Sequence, residues 1–201
     1  MSVLFTDPFT GTDADLGVNW TVNSSYAAWR RTSDAATVAS LASDSAEFVN
    51  SVTPPDAQYA QVPVTTDNGN ADNNFNGGGP AVRMSTTVGT WYSVVAKNDR
   101  ITMIEGAAGS FASLGSFTVT WVDGDVLYIE AQGDQIIAKI NGITRIGPVT
   151  DATTASGRFG LVYGSTVTSI SCDDFEGGDF AAAGGTILPL ADRHYRGMRA
   201  A

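Results

Sequence analysis

Oxygen-bearing side chains are concentrated in one Gly- and Asn-rich segment, residues 65–79 (TTDNGNADNNFNGGG). Calcium takes about six to eight oxygen ligands of this kind, so Asp67, Asp72 and Asn74 are candidate calcium ligands. The spacing differs from that of an EF-hand loop, because the twelfth residue counted from Asp67 is Gly78 and not Glu. Asp and Asn also favour turns through bonds to their own backbone, so a surface loop without metal is the alternative. We expect no cofactor, and calcium is the one alternative that the sequence offers.

Aromatic side chains could bind a sugar, with their flat apolar faces against the sugar ring and polar neighbours on its hydroxyls. The aromatic candidates are Trp29, Phe75, Trp91, Tyr92 and Trp121, and the polar candidates are Asp72 and Asn74. The preferred set is Asp72, Asn74, Phe75, Trp91 and Tyr92. An aromatic residue in a strand is usually part of the core, which is the alternative for most of these rings. Phe75 differs, because it lies in a polar loop where its ring either folds back onto the body or faces a partner.

Catalytic patterns are weak in this sequence. Glycoside hydrolysis needs two carboxylates placed across the sugar bond, and nothing in the sequence marks such a pair. A Ser-His-Asp arrangement needs a histidine in a shaped site, whereas the single histidine, His194, lies near the end of the chain. We therefore expect no catalytic residues and no enzymatic activity.

The elements that would position these side chains are β-strands, and the pattern is clearest in residues 124–142 (GDVLYIEAQGDQIIAKING). Period-two alternation predicts two strands joined by a type II′ turn at Gly133-Asp134. This turn sets three apolar pairs on one face: Leu127 with Ile140, Ile129 with Ala138, and Ala131 with Ile136. Asn141-Gly142 favours a type I′ turn into a third strand. Because that turn would set Ala138 against Arg145, we expect the third strand to bend, bulge or end early.

The whole chain has the composition of an all-β protein. Its 201 residues include 22 Gly and 43% hydrophobic residues, whereas the helix formers Glu, Lys and Leu are scarce. About a dozen short strand-like runs separated by turns predict a sandwich or barrel. Residues 1–180 are expected to form one domain, because no linker interrupts them.

Charge and composition also exclude several classes of function. The net charge of −10 argues against nucleic-acid binding, which needs a basic face. No apolar run of about 18 residues is present, so we expect no membrane insertion. The first residues do not form a secretory leader. The single cysteine, Cys172, excludes an intrachain disulfide and is expected to be a small core residue.

Residues 181–201 differ from the rest of the chain and are predicted to form a C-terminal arm. Small residues there are followed by a mixture of apolar and basic side chains. The candidate interaction residues of the arm are Leu188, Leu190, Arg193, His194, Tyr195, Arg196 and Arg199. A basic arm on an acidic body suits docking onto an acidic neighbour, such as a second copy of the chain. A disordered tail is the alternative.

Three segments together resemble the concanavalin A-like lectin/glucanase superfamily, and specifically its laminin-G-like jelly-roll domains. The family's N-terminal D-x-F-x-G strand matches Asp7, Phe9 and Gly11, and its terminal D-x-F matches residues 173–175. Its G-D-x-L hairpin and its G-x-x-G-L strand match residues 124–142 and residues 157–161. The motifs occur in the family's order and span residues 3–180.

The resemblance implies a jelly-roll β-sandwich of two packed antiparallel sheets, one of them concave, with the arm extending from it. It implies calcium at a rim as one option, and the sequence offers two further acidic groups for it. They are Asp7, Asp13 and Asp15, and Asp173, Asp174, Glu176 and Asp179. The family's retaining glucanases carry a Glu-x-Asp-x-x-Glu strand, which none of the four glutamates of this chain begins.

The layout of a jelly-roll body with a short tail also resembles virion proteins of tailed bacteriophages. We therefore predict a non-enzymatic structural or decoration protein of a phage head or tail, made in the host cytoplasm and located in the virion. Its expected partners are other virion proteins and copies of itself, held through the arm, with a host glycan as a further option. The alternative is a lectin-like carbohydrate-binding module, and the third hypothesis is a glycoside hydrolase.

Overall fold

The computed structural model describes residues 1–24, 26–40, 43–66, 77–97, 99–107, 109–164 and 170–180. The arm, residues 181–201, lies outside these ranges. So do the candidate calcium and sugar ligands Asp67, Asp72, Asn74 and Phe75. The predictions for these residues therefore remain predictions.

The described residues form strands and turns without a helix, which confirms the predicted all-β class. The strands are β1 (Ser2–Asp7), β2 (Ala14–Asp15), β3 (Trp20–Val22), β4 (Trp29–Thr32), β5 (Ala35–Val38), β6 (Ser45–Val49), β7 (Gln58–Thr66), β8 (Gly77–Met84), β9 (Thr90–Ala96), β10 (Arg100–Ala107), β11 (Ser110–Thr118), β12 (Asp125–Gln132), β13 (Gln135–Ile140), β14 (Ile143–Thr150), β15 (Arg158–Gly164), β16 (Ile170–Cys172) and β17 (Phe175–Asp179).

Two antiparallel sheets pack face to face as a jelly-roll β-sandwich, as predicted. The first sheet has the order β14-β13-β12-β7-β16-β5-β4-β2, and β17 joins it by pairing with both β7 and β1. The second sheet has the order β11-β10-β9-β8-β15-β6-β3. The side chains between the sheets form the main core. Cys172 is buried in this core, as expected for a small apolar residue.

The predicted hairpin of residues 124–142 is confirmed in both register and turn type. Leu127 pairs with Ile140, Ile129 with Ala138, and Ala131 with Ile136, and all six side chains are buried. Gly133 has a φ of 59°, as the first position of a type II′ turn requires. Asn141 and Gly142 have φ values of 51° and 76°, as a type I′ turn requires.

The third strand of this region bulges, which confirms one of the three predicted outcomes. Register shifts on both sides of Ala138 set it opposite Ile146 instead of Arg145. The shift brings the apolar Ile146 side chain into the core and leaves Arg145 exposed. The strand does not end early, because β14 continues to Thr150.

An aromatic cluster joins the two ends of the described chain. β1 pairs with β17, which sets Asp7 opposite Phe175 and brings the N-terminal and C-terminal motifs together. Trp20 lies between Phe5 and Phe175, with ring centroids 5.8 Å and 5.0 Å away. The Trp20 indole N–H donates to Asp7 Oδ2 at 2.8 Å. The two motifs thus form one packed unit with the second sheet.

Candidate functional site

The second sheet has an apolar outer face as well as an apolar inner face. On β9, Tyr92 and Val94 point into the core, whereas Trp91, Ser93 and Val95 alternate with them on the opposite side. The outer cluster comprises Ala46, Phe48, Ala81, Met84, Trp91, Val95, Ile104 and Val162, with Tyr26 and Phe111 packed against it. The outer face of an antiparallel sheet is commonly solvated and polar, so a second apolar cluster requires an explanation.

Three aromatic rings lie together on this outer face. Tyr26 meets Trp91 edge to face, with centroids 5.0 Å apart and an interplanar angle of 71°. Phe111, on β11, lies next to Trp91, with ring centroids 6.0 Å apart. Gly106 pairs with Trp91 across β9 and β10, and a Cβ added there would lie 2.7 Å from the indole ring. The glycine therefore lets the indole lie flat against the sheet.

Tyr26 is held over the sheet by the β3–β4 connection. Its amide donates to Asn23 O at 2.9 Å, and the Asn23 side-chain amide donates to Ser85 O at 2.9 Å. Its hydroxyl lies against Gly89, where an added Cβ would be 2.6 Å away. Burial and the nearby Asp44 carboxylate both raise the pKa of Tyr26, so the phenol stays protonated and can donate or accept a hydrogen bond.

A recess of about 370 Å³ lies beside Tyr26 and Phe111. It is lined by Tyr26, Asp44, Thr87, Val88, Gly89, Gly109 and Phe111. A narrower cavity of about 20 Å³ adjoins it and shares Tyr26, Asp44 and Phe111 as lining residues. The narrow cavity continues along the sheet past Trp91 and Ser93. We call the two volumes together the aromatic recess.

The aromatic recess offers binding groups. Its rings present apolar faces, the Tyr26 hydroxyl is a donor and acceptor, and Asp44 is the one carboxylate among the described residues that line it. A pair of carboxylates across a glycosidic bond, which sugar hydrolysis needs, is not present among those lining residues. The arrangement is therefore suited to holding an uncharged polar molecule with an apolar face.

The structure separates the two strand residues that the sequence proposed for sugar binding. Trp91 lies in the aromatic recess, whereas Tyr92 is buried between the sheets. The Tyr92 hydroxyl donates to Asp151 Oδ1 at 2.5 Å and accepts from the Thr154 amide at 3.0 Å. Burial, together with the bond to Asp151, raises the pKa of Tyr92 to about 12. Tyr92 is excluded from the site because its ring points inward, as the alternation on β9 requires.

The other two aromatic candidates also pack inward. Trp29 is fully buried in the main core, 6.4 Å from Tyr163. Trp121 is half-buried against the main core, and its indole N–H donates to Lys97 O. For these two residues the alternative of core packing applies.

The acidic groups proposed as calcium ligands bond to the protein itself. Asp13 Oδ1 accepts from the Ser33 amide at 3.0 Å. Glu176 Oε1 accepts from the Tyr59 hydroxyl at 2.8 Å and from the Gln61 side chain at 3.1 Å. Across the described ranges, no group of three or more His, Cys, Asp or Glu side chains is placed to hold a metal ion.

Sequence reasoning missed Tyr26, Asp44, Ser93 and Phe111. Phe111 could have been found, because β9, β10 and β11 form consecutive hairpins and counting their register sets Phe111 opposite Gly106, which is beside Trp91. Tyr26 and Asp44 could not, because they lie in the β3–β4 and β5–β6 connections, far in sequence from β9, β10 and β11.

The described residues contain no helix that could span a membrane.

Comparison with known proteins shows similarity of structure. No family model and no curated protein sequence matches the chain. Carbohydrate-binding module CBM66 from Bacillus subtilis aligns with a TM-score of 0.59 and 18% identity, covering 79% of this chain and 95% of that chain. A protein of unknown function with a galectin-like fold, also from Bacillus subtilis, aligns with a TM-score of 0.60 and 7% identity, covering 89% and 96%.

A third solved structure is an enzyme. It is SCLam, a non-specific endo-β-1,3(4)-glucanase of family GH16, with a TM-score of 0.53 and 10% identity, covering 88% of this chain and 90% of that chain. At these identities the similarity concerns the fold alone. These neighbours support the jelly-roll fold that the resemblance implies. The chain has a jelly-roll β-sandwich fold of the kind found in carbohydrate-binding modules, galectin-like proteins and glucanases.

Proposed function

We propose that the protein is a carbohydrate-binding domain and that the aromatic recess is its binding site. The observation that carries the proposal is the group of three aromatic rings at the aromatic recess. Tyr26 and Phe111 line its 370 Å³ part together with Asp44, and Trp91 lines the adjoining narrow cavity. Rings of this kind bury apolar area and, in Tyr and Trp, also offer a polar group.

The chemistry of a sugar matches these groups. A pyranose has apolar C–H faces, which pack on an aromatic ring, and a rim of hydroxyls. A carboxylate accepts charge-assisted hydrogen bonds from hydroxyls, and such bonds are stronger than neutral ones. Asp44 would fix the orientation of the sugar, while Tyr26 and Phe111 would supply the apolar contact.

The size of the recess limits the ligand. Small-molecule sites have volumes of roughly 300–1,000 Å³, and 370 Å³ is near the lower end of that range. We therefore expect the site to take the end of a glycan or a short oligosaccharide. The carbohydrate-binding module among the structural neighbours supports this proposal at the level of fold.

A glycan array followed by titration calorimetry tests the proposal. Tyr26→Ala, Phe111→Ala and Asp44→Asn are each expected to weaken binding about tenfold or more, because each removes one ring or the charged acceptor. Phe117→Ala is a matched control for Phe111→Ala, since Phe117 lies on the same strand but packs against the main core. Asp134→Asn, in the exposed β12–β13 turn, is the control for Asp44→Asn.

An array without a bound glycan, using folded wild-type protein, would contradict the proposal. Equal losses in the recess variants and in their controls would also contradict it, because they would indicate loss of folding. Release of reducing sugar from a polysaccharide would favour the glycoside hydrolase hypothesis instead.

The virion hypothesis remains a prediction from the layout of the chain. It concerns the arm, residues 181–201, which lies outside the described residues. A sugar-binding body and a virion location are compatible, because a protein on a phage surface can contact host glycans. The virion hypothesis needs the arm for assembly, whereas sugar binding by the body does not need it. Removal of the arm therefore distinguishes the two hypotheses.

A further inference from the structure

Ser93 is a buried polar residue in the floor of the aromatic recess. It lies on β9 between Trp91 and Val95 and is 1% exposed. Its hydroxyl has no hydrogen-bond partner among the described residues. Buried polar groups are nearly always paired, because leaving one unpaired costs free energy. The Ser93 hydroxyl is therefore a buried hydrogen-bonding group that a ligand in the recess would pair.

The narrow cavity adjoins this hydroxyl. Its volume of about 20 Å³ holds one water-sized group. Away from the wider recess, its walls include Trp91, Val95, Ile104 and Val162, so Ser93 is a polar point in an apolar surround. Towards the wider recess, the lining of the cavity also includes Tyr26 and Asp44.

A hydroxymethyl group has both an apolar part and a polar part that match this surround. Its methylene carbon would contact the apolar walls, and its hydroxyl would bond to Ser93 Oγ. Building on the proposed sugar-binding function, we propose that the narrow cavity receives the exocyclic hydroxymethyl group of a hexopyranose. The recess then selects hexopyranosides over pentopyranosides and 6-deoxy sugars, which lack that hydroxyl.

The same geometry rejects acidic sugars. A uronic acid carries a carboxylate where a hexose carries its hydroxymethyl group. Placing that carboxylate among Val95, Ile104 and Val162 would bury a charge without a cationic partner among the described lining residues. The Asp44 carboxylate, which lines both volumes, would repel it as well.

The experiment is a titration with matched methyl glycosides, followed by calorimetry or NMR shifts. The probes are methyl glucopyranoside, galactopyranoside and mannopyranoside, each with its 6-deoxy analogue and its uronide, and methyl xylopyranoside as the pentoside. At least one hexoside is expected to bind. Its 6-deoxy analogue should bind about tenfold more weakly, because the Ser93 hydroxyl stays unpaired, and its uronide should not bind detectably.

Ser93→Ala isolates the hydroxyl. We expect it to fold, because it removes a buried polar group that has no partner in the free chain. Its affinity for the hexoside should fall about tenfold, to the level of the 6-deoxy analogue on the wild type, while its affinity for that analogue stays unchanged. Ser93→Thr keeps the hydroxyl but fills the cavity with a methyl group and should also block the hexoside. Ser116→Ala, exposed on β11, is the control.

The outcomes separate this inference from the proposed function. If a hexoside and its 6-deoxy analogue bind the wild type equally, the inference is overturned while sugar binding at the recess stands. An unchanged hexoside affinity in Ser93→Ala overturns it in the same way. If no glycoside or glycan binds the wild type, both proposals fail together. Should Ser93→Ala not fold, the comparison of hexoside and 6-deoxy analogue on the wild type decides alone.

Discussion

Glu47 is a carboxyl group held between the two sheets. It points inward from β6, is 3% exposed, and accepts a hydrogen bond from the Trp29 amide of β4 at 3.1 Å. The pKa of Glu47 is raised to about 7. Burial is the largest cause, the hydrogen bond from Trp29 opposes the rise, and the charge of Asp15 adds to it. Sequence reasoning weighed Glu47 only as a catalytic residue, and the structure places it in the sandwich interior.

Stability is expected to fall as the pH rises through the range set by Glu47. The ordinary pKa of 4.5 applies to the unfolded chain and about 7 to the folded chain, so the folded state holds the proton more tightly between these values. The stabilisation is therefore complete below about pH 4.5 and lost above about pH 7. Glu47→Gln should remove this dependence and be more stable than the wild type at pH 8 by about 2–3 kcal/mol. Urea unfolding at several pH values measures it.

The reverse dependence is expected for Asp151 on the β14–β15 connection. Although burial raises the pKa of Asp151, hydrogen bonds from Tyr92 and Thr153 outweigh it, and the pKa lies below its ordinary value. This carboxylate stabilises the fold above the unfolded pKa, and the stabilisation is lost as the pH falls through the folded pKa. Tyr92→Phe should cost about 1–3 kcal/mol at pH 7, because the buried Thr154 amide loses its acceptor and Asp151 its donor.

The loss in Tyr92→Phe should shrink as the pH falls through the folded pKa of Asp151, because the carboxyl group is protonated in both proteins below that pKa. Denaturant unfolding of the variant and the wild type at pH 7 and at a pH below that folded pKa compares the two states. A cost that is the same at both pH values would show that the Tyr92–Asp151 bond contributes nothing specific.

At the scale of strands, the sequence predicts the hairpin of residues 124–142 well, because its turns and its alternation depend on near neighbours. Gly133-Asp134 and Asn141-Gly142 require defined turn types, and each turn fixes the register of the strands beside it. The bulge in β14 follows from the same counting. Of the residues at the aromatic recess, the sequence predicted only Trp91. The other walls come from the β3–β4, β5–β6, β8–β9 and β10–β11 connections and from strand β11, which are far apart in sequence.

The hairpin register also predicts unequal losses of stability when two adjacent isoleucines are replaced by alanine. Ile136 points into the core and is fully buried, whereas Ile137 is half-buried on the outer face of the first sheet. Ile136→Ala should therefore cost about 2–5 kcal/mol, which is typical of a cavity in a core. Ile137→Ala should cost about 1 kcal/mol or less. Thermal and urea unfolding of the two variants measure the difference, and similar losses would contradict the assigned faces.

At the scale of the molecule, the body and the arm are predicted to be independent. The main core and the aromatic recess are both built from residues within 1–180, and Phe180 still packs on Tyr59 at 5.7 Å. Removing residues 181–201 should change the free energy of unfolding by less than about 0.5 kcal/mol and leave sugar affinity unchanged. Calorimetry and unfolding of the shortened chain check this.

Native mass measurement of the same shortened chain tests the arm itself. If the arm joins copies of the protein, the assembly should dissociate when residues 181–201 are removed. An unchanged mass would contradict that role, and a destabilised body would contradict the division into two parts.

The pairing of β1 with β17 has a consequence for synthesis. Residues 2–7 leave the ribosome long before their partner strand, residues 175–179, which lies about 170 residues further along the chain. Contacts between such distant parts of a chain form slowly, because a long loop must close before they reward it. During translation, the pairing of β1 with β17 and the contact between Phe5 and Phe175 therefore cannot form until residues 175–179 have been synthesised.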